Sequence, residues 1–419
     1  MRKPAMGSRR LLIGALALGL ALRLIAAFSM SQTPLVADEL NYAAIATNIA
    51  TRGEFVDETG KATALRTPMY PGFLALFVRL SPGHWSFARV AQAALDTTTI
   101  LLVYVIGLRA LRCEREAVVG AFLYALHPIF IAYSARILSE TFFIWVWLLT
   151  VWLFLRAMDS VAGPARAAAA GVALGLTVLS RPNFMFFPPV LAAIVAALHD
   201  RRPAGLRRLL MIVVICYATV LPWTLRNRLV MGKWVLATGG GYMTWCGAQL
   251  GSPATVMAQW NSLYYQLSRE RTELETDAEF YRLAKLDLKR NGPSLLKDLP
   301  RRCLVFWLTS HSAMFGIDQP LSTYRAQGRW VPIAVRAGLW AMHIGLLALG
   351  ALGFWMMRRS WTIACTVGLI TFAYYSLHAL GGYWNCRYHL PALAFWLMFA
   401  AVPIVYAQSL LPVRQAPRA

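Results

Sequence analysis

Residues 11–28 read LLIGALALGLALRLIAAF, a run of 18 residues in which Arg23 carries the only charge. An apolar stretch of this length can cross the hydrocarbon core of a bilayer, which is about 30 Å thick. Arg9 and Arg10 precede it, as in a signal peptide, but no clear small-residue cleavage site comes before Ser31. We therefore interpret this run as a retained first membrane span.

The rest of the chain repeats this pattern. Of its 419 residues 58% are hydrophobic and only 14% are charged, whereas a soluble domain carries about 25% charged residues. The sequence predicts an all-α polytopic membrane protein in which residues 1–419 form a single domain. The ten predicted spans are 11–29, 86–111, 116–133, 139–157, 166–180, 184–198, 208–224, 331–357, 361–379 and 389–411.

The positive charges indicate the orientation of these spans. The formal net charge is +22, and the basic residues cluster in short connections between apolar runs. Such clusters mark cytoplasmic loops and favour anionic headgroups, not nucleic acid, as their partners. With the N-terminus inside, every cytoplasmic connection is basic, which predicts that both termini are cytoplasmic. These basic connections are 2–10, 109–115, 156–166, 201–208, 358–359 and 414–418.

This topology leaves two large segments on the extracytoplasmic side: the first loop segment, 30–85, and the second loop segment, 225–330. Within the second, apolar residues recur among charges over 277–290, which predicts a helix. Residues 301–317 are apolar but short, and counting them as a span would put the basic pair 358–359 outside. We therefore predict an interfacial or re-entrant helix there.

The six cysteines show no CxxC pair and no zinc-like spacing with histidine. Cys246 and Cys386 fall on the same predicted side and could form a disulfide. Isolated free thiols are the simpler interpretation for an apolar chain, and we expect them here.

Two adjacent acids, Asp38 and Glu39, begin a helix-like stretch of the first loop segment, with Tyr42 one turn later. A helix N-terminus favours negative charge, so Asp38 could simply cap the helix. Acids beside a membrane are costly, however, and by default indicate function.

Further along the same segment, residues 66–72 read RTPMYPG. The prolines stiffen the backbone directly after Arg66, and a rigidly held guanidinium is a good ligand for phosphate. The alternative is an arginine that reaches lipid headgroups with its charged end.

These motifs resemble a known family. DELNYAAIATNIATRG at 38–53, followed by RTPMYPGFLAL at 66–76, resembles the first extracytoplasmic loop of the GT-C superfamily, in its protein O-mannosyltransferase and aminoarabinose-transferase branch. That branch has an acidic pair, a tyrosine, a small-residue helix, and a basic residue before a proline-rich turn. Weaker similar stretches are HPIFIAYSARILSETFF at 127–143, LSRPN at 179–183, PWTLRNRLVMGKW at 222–234 and RYHLPALAFWL at 387–397.

The resemblance implies a GT-C-like bundle in the cell membrane, with its active site on the extracytoplasmic face. The donor would be a sugar on a polyprenyl phosphate, and the acceptor a hydroxyl of a lipid, glycan or protein. Asp38 would be the base, and transfer would invert the anomeric centre. The aminoarabinose branch has lysine where this chain has Arg66, which leaves the sugar open. Use of a divalent metal differs between branches and does not carry over.

Elementary chemistry supports the same site. The acceptor hydroxyl loses a proton as it attacks, and a carboxylate such as Asp38, with Glu39 beside it, can take it. The leaving phosphate needs fixed positive charge. Four arginines are predicted near the extracytoplasmic ends of spans, with Arg66 ranked first and Arg136 second. The candidate phosphate ligands are Arg66, Arg136, Arg226 and Arg387.

Other candidate substrate contacts are Tyr42, Tyr70 and Glu140, although an ion pair with Arg136 is an equal interpretation for Glu140. Inside the spans, we expect Arg23 to reach the extracytoplasmic surface and Asp96 to pair with Gln92 or an arginine.

Two other functional classes fit a polytopic membrane protein. A transporter or flippase of lipid-linked sugars would place charges at the membrane midplane and often shows internal repeats. Here the charged candidates gather at one face and no repeat is evident, which favours an enzyme. An inactive assembly subunit is the other alternative, against which an intact Asp38 and Arg66 argue.

Overall fold

A computed structural model describes residues 6–159 and 162–410, so the terminal basic residues used for orientation lie partly outside the described residues. Within this range no β-strand forms, and an isolated bridge joins Val56 to Ala62. The α-helices are α1 (Met6–Ser29), α2 (Asp38–Arg52), α3 (Met69–Leu80), α4 (Ser86–Leu111), α5 (Glu114–Leu126), α6 (Pro128–Ser134), α7 (Ser139–Ala157), α8 (Pro164–Val178), α9 (Phe187–Leu198), α10 (Pro203–Met231), α11 (Gly240–Gly247), α12 (Pro253–Ser268), α13 (Glu273–Leu308), α14 (Leu321–Ala326), α15 (Trp330–Met356), α16 (Ile363–Gly381) and α17 (Leu390–Leu410).

Every predicted span coincides with a helix, which confirms a polytopic helical membrane protein. Among the described residues, six helices are long and apolar enough to cross a bilayer, and a seventh span exists if α5 and α6 count as one broken helix. That pair is bent by 55° around His127, because Pro128 cannot continue the hydrogen-bond pattern of α5. The remaining predicted spans correspond to α8, α9 and α16, which are shorter apolar helices.

The bundle has an enclosed centre and an apolar periphery. Helices α7 and α17 are largely buried, whereas α1 and α15 keep most of their apolar surface exposed, as lipid-facing helices do. Small residues allow the closest contacts. A Cβ on Gly171 or Gly175 of α8 would lie 2.9 Å or 2.7 Å from backbone carbonyls of α10, so these two helices pack backbone to backbone.

A buried ion pair joins α1 to α4. Arg23 Nε lies 2.5 Å from Asp96 Oδ2, with the two side chains 0% and 1% exposed. Tyr124 donates to the other Asp96 oxygen at 2.6 Å, and Arg23 Nη1 donates to the Ala125 carbonyl at 2.9 Å. The prediction that Arg23 reaches the surface is therefore wrong, because α4 and α5 enclose it. The pairing of Asp96 with an arginine is confirmed.

The second loop segment is dominated by one long helix. α13 has 36 residues and starts at a capping box formed by Thr272 and Glu275. The predicted helix over 277–290 lies within it. Residues 301–308 are the last turns of α13, followed by a short 3-10 turn, so the helix predicted over 301–317 is the end of a longer helix. Its interfacial or re-entrant placement stays a prediction. The helix simply continues through Pro293 and Pro300.

The first turn of α13 holds the two loop segments together. Glu273 accepts hydrogen bonds from Thr63 Oγ1 at 2.6 Å, from the Ala64 amide at 2.9 Å, and from Thr238 Oγ1 at 2.5 Å. Because Thr63 and Ala64 directly precede Arg66, the start of α13 helps to fix the Arg66 turn. All six cysteines, Cys246 and Cys386 included, are free thiols.

Candidate active site

Asp38 is the first residue of α2 and sits in a sharp entry turn. The preceding Ala37 has a φ of 49°, in the left-handed region that residues with a Cβ rarely occupy. The Asp38 side chain is 28% exposed. Its Oδ1 accepts from Arg66 Nη2 at 2.6 Å, and its Oδ2 lies 2.7 Å from Arg387 Nη1. A partly exposed carboxylate is thus held between two arginines.

Arg66 is fixed on three sides. Besides its contact with Asp38, its Nε donates to Asn41 Oδ1 at 2.9 Å, and its guanidinium lies 4.7 Å from the centre of the Tyr42 ring. Tyr42 is itself anchored, since its hydroxyl donates to Ser139 Oγ at 3.1 Å. The structure therefore brings Asp38, Tyr42 and Arg66 together, as the sequence predicts, with Tyr42 supporting the arginine.

A second carboxylate, that of Glu140, lies close to Arg387. Glu140, at the start of α7, lies 2.7 Å from Arg181 Nη2 and 3.7 Å from Arg387 Nε. Its predicted partner Arg136 pairs elsewhere, so that expectation is wrong. Arg181 is 8% exposed and was missed among the candidate residues. The LSRPN stretch, in which Arg181 precedes a proline at the end of a span, was the signal that could have identified it.

Glu39 points away from the exposed side of the site. Its side chain is 1% exposed and pairs with Arg136 at 3.0 Å. It also accepts from the Ile137 amide at 2.9 Å and the Val36 amide at 3.1 Å. Glu39, which the sequence predicts to be catalytic, thus links the start of α2 to the connection between α6 and α7.

Two other predicted site residues have structural contacts of their own. Arg226 donates to the carbonyls of Thr63 at 2.9 Å and Phe55 at 2.6 Å, so it supports the first loop segment from α10. Tyr70 is 1% exposed, and its hydroxyl donates to Gln92 Oε1 at 2.5 Å. The structure shows no contact of either side chain with Asp38, and the Tyr70 ring packs against Tyr42 with the ring centres 4.9 Å apart.

Charge dominates the chemistry of the cluster. Burial raises the pKa of the Asp38 carboxyl, but Arg66 and Arg387 more than offset this and hold it well below its usual range. Burial lowers the pKa of Arg66, and its neighbours Tyr42 and Asp38 raise it further than burial lowers it. Four arginines, at 66, 136, 181 and 387, meet the carboxylates of Asp38, Glu39 and Glu140. One positive charge of this network therefore has no carboxylate of its own, which suits an anionic ligand.

An aromatic side chain that was not predicted from the sequence lies near Arg66 and Asp38. Tyr242 of α11 is close enough to Arg66 and Asp38 for their charges to influence it, and burial raises the pKa of its phenol. Its ring packs against Trp260 with the ring centres 5.0 Å apart. In the part of the chain that the structure describes, no three His, Cys, Asp or Glu side chains are grouped to hold a metal ion.

Part of the chain matches a known protein family. The family model for dolichyl-phosphate-mannose-protein mannosyltransferase matches residues 65–225. This match confirms a resemblance to that mannosyltransferase family over residues 65–225, and the described helices form the all-α membrane bundle that the sequence predicts.

Solved structures supply the fold likeness. The archaeal oligosaccharyltransferase AglB from Archaeoglobus fulgidus, in complex with an inhibitory peptide and a dolichol-phosphate, superposes with a TM-score of 0.55 at 16% identity over 96% of this chain. Its apo form gives a TM-score of 0.56 at 15% identity over the same share. This chain spans only 51% of that enzyme, about half its length.

ArnT from Cupriavidus metallidurans, bound to undecaprenyl phosphate, superposes less closely, with a TM-score of 0.46 at 17% identity over 97% of this chain and 80% of ArnT. No curated protein sequence matches the chain significantly.

Proposed function

We propose that this protein is a membrane glycosyltransferase that moves a sugar from a polyprenyl phosphate to an acceptor hydroxyl of a lipid, glycan or protein. The observation that carries the proposal is the partly exposed Asp38 carboxylate between Arg66 and Arg387. It places a proton acceptor next to two phosphate-binding groups, which are the two functions this reaction needs. The matching family is described by a dolichyl-phosphate sugar donor, and AglB was solved with a dolichol-phosphate.

The reaction follows from these groups. The acceptor oxygen forms a bond to the anomeric carbon while the bond from that carbon to the phosphate oxygen breaks. The hydroxyl proton passes to Asp38, and polyprenyl phosphate leaves with the electron pair of the broken bond. Attack from the face opposite the phosphate inverts the anomeric centre. The positive charge of Arg66 and Arg387 stabilises the negative charge that grows on the leaving phosphate.

The structure narrows the roles we assign to the other candidates. Arg66 and Arg387 bind phosphate directly, since both are partly exposed and both contact the carboxylate of the proposed base, Asp38. Arg136 and Arg181 support the site without binding phosphate, because they pair with the carboxylates of Glu39 and Glu140. We assign no phosphate contact to Arg226, whose guanidinium binds backbone carbonyls.

We further propose that the site faces the extracytoplasmic side of the cell membrane. The support is the charge pattern, in which basic connections occupy the opposite ends of the helices. A lipid-linked donor would then reach Asp38 from the outer leaflet.

The test is transfer by purified protein in lipid nanodiscs, using a panel of polyprenyl-phosphate sugars and identifying products by mass spectrometry. The proposal expects a new glycosidic bond with at least one donor and little product from Asp38→Asn. Glu58→Gln, which changes an exposed acid of the same loop segment, is the matched control and should stay active. Movement of donor between leaflets without any glycosidic product would support a flippase instead.

A further inference from the structure

Asp38 is poorly suited to be a base in the arrangement that the structure shows. Each of its oxygens already has a charged partner, Arg66 Nη2 at 2.6 Å and Arg387 Nη1 at 2.7 Å. Charge-assisted contacts to both oxygens stabilise the ionised carboxylate and lower its affinity for a proton. A base of this kind would take a proton from a sugar or serine hydroxyl only weakly.

The donor phosphate needs the same two nitrogen atoms. Arg66 Nε is committed to Asn41, and the face of the guanidinium covers Tyr42, so the Nη side that contacts Asp38 is the side left for a ligand. Arg387 is 23% exposed and contacts Asp38 through Nη1. A phosphate that binds both arginines through planar N–H pairs must therefore compete with Asp38.

The charge balance favours this exchange. The cluster carries one more arginine than carboxylates, so a phosphodiester with a single negative charge can enter without protonation of any acid. Arg387 can move between partners without losing its surroundings, since Glu140 lies 3.7 Å from its Nε and is itself held by Arg181. Glu140 thus keeps Arg387 near the site while its other end changes ligand.

Resting on the function proposed above, we propose that the donor phosphate displaces Asp38 from Arg66 and Arg387, so that the donor binds first and its binding turns Asp38 into an effective base. The pairing of Asp38 with the arginines is then an autoinhibitory contact. Asp38 would remain a weak base until a lipid-linked sugar is bound. It would therefore not take the acceptor proton before the donor is in place.

The experiment measures the affinity for undecaprenyl phosphate, the phosphomonoester that remains when such a donor has lost its sugar. Removing the competitor should strengthen binding, so Asp38→Asn should bind this lipid roughly tenfold more tightly than the wild type, equal to about 1.4 kcal/mol. Glu58→Gln removes the same charge from an exposed position of the same loop segment and should leave the affinity unchanged. Asp38→Ser gives the same comparison if the asparagine variant folds poorly.

The outcomes separate this inference from the proposed function. If Asp38→Asn loses transfer but binds undecaprenyl phosphate no more tightly than the wild type, Asp38 is the base and the competition is wrong. If Glu58→Gln tightens binding as much as Asp38→Asn, a general charge effect replaces the proposed exchange. If the wild type transfers no sugar while Asp38→Asn still binds more tightly, the competition stands and the transferase assignment fails.

Discussion

Two aspartate–arginine pairs of this molecule have the same chemistry and opposite surroundings. Asp96 and Arg23 lie inside the bundle with 1% and 0% of their side chains exposed, and every neighbour is fixed by helix packing. Asp38 lies at the mouth of the bundle, 28% exposed, between Arg66 and Arg387. The buried pair has no access to a ligand, whereas the Asp38 group is partly exposed, and we propose that it exchanges partners.

The difference teaches how to assign roles to membrane-embedded charges. Arg23 also donates to the Ala125 carbonyl, close to the bend at His127, so the buried pair stabilises the broken helix that leads to Arg136. Its contribution is to the fold. In the Asp38 group the ion-paired arginines outnumber the carboxylates by one, and we propose that this group contributes to binding and catalysis.

The largest effect that separates the two regions is on turnover. Asp38→Asn keeps the size of the side chain but removes the proton acceptor, so product formation should fall by about 10²–10⁴-fold. The thermal unfolding midpoint in detergent should change little, because the site is partly exposed. Wild-type turnover in this variant would remove Asp38 from the mechanism, and unfolding would place it with the buried pair.

The converse change acts on stability. Asp96→Leu leaves the Arg23 charge buried without its partner, and breaking such a pair costs about 3–5 kcal/mol of unfolding free energy. The double variant Arg23→Met/Asp96→Leu should recover most of this loss, since no unpaired charge remains. Denaturation of the single and double variants checks the cycle. A single variant as stable as the wild type would contradict a structural role.

Arg66 tests the donor side of the exposed region. Arg66→Ala should weaken donor binding by about 1.5–3 kcal/mol, the value of a charge-assisted hydrogen bond. Arg66→Lys should recover only part, because an ammonium lacks the planar pair of N–H groups. Arg52→Ala, at the exposed end of α2, is the control in a donor-binding titration. Equal affinities of Arg66→Ala and wild type would exclude the phosphate contact.

Tyr70 sharpens the boundary between site and core. Tyr70→Phe removes the hydrogen bond to Gln92 and should cost about 0.5–1.5 kcal/mol of stability. The KM for the donor should not change, since Tyr70 is 1% exposed. A raised KM at unchanged stability would instead support Tyr70 as a substrate contact, as the sequence predicts.

The smallest expected effect is a displacement of pH profiles. The arginines depress the pKa of Asp38 in the free protein, so this carboxylate stays ionised, and its ion pairs persist, until the pH falls well below its usual range. Donor binding should raise that pKa. The acid limb of kcat, which reports the donor-bound enzyme, should then lie about one pH unit above that of kcat/KM for the donor. Coincident limbs would indicate that donor binding leaves Asp38 unchanged.

The sequence was sufficient to predict the helices and the part of the site whose residues lie close together along the chain. Apolar runs fix where helices lie in a membrane protein, and the short stretch from Asp38 to Arg66 contains its own turn chemistry. The failures concern partners distant along the chain. Asp38 meets Arg387 and Glu140 meets Arg181 only after α2, α7, α8 and α17 have packed together.

Burial also separated candidates that looked alike in the sequence. Asp38 and Glu39 are neighbours on one helix turn, yet one is 28% exposed and the other 1%. Arg23 seemed close enough to a membrane surface to reach it. The burial of a side chain depends on how its helix is rotated and where it crosses its neighbours. Hydropathy predicts neither the rotation nor the crossing.

The short helix α8 has a consequence for the lipid around the protein. Its 15 residues extend about 22 Å, whereas the hydrocarbon layer is about 30 Å thick. If the basic end of α8 lies at the cytoplasmic surface, its other end at Val178, three residues before Arg181, lies about 8 Å beneath the opposite hydrocarbon boundary, unless the bilayer thins there. A depression of this kind would let a polyprenyl chain stay dissolved in the leaflet while its phosphate meets the arginines, with no need to lift the lipid into water.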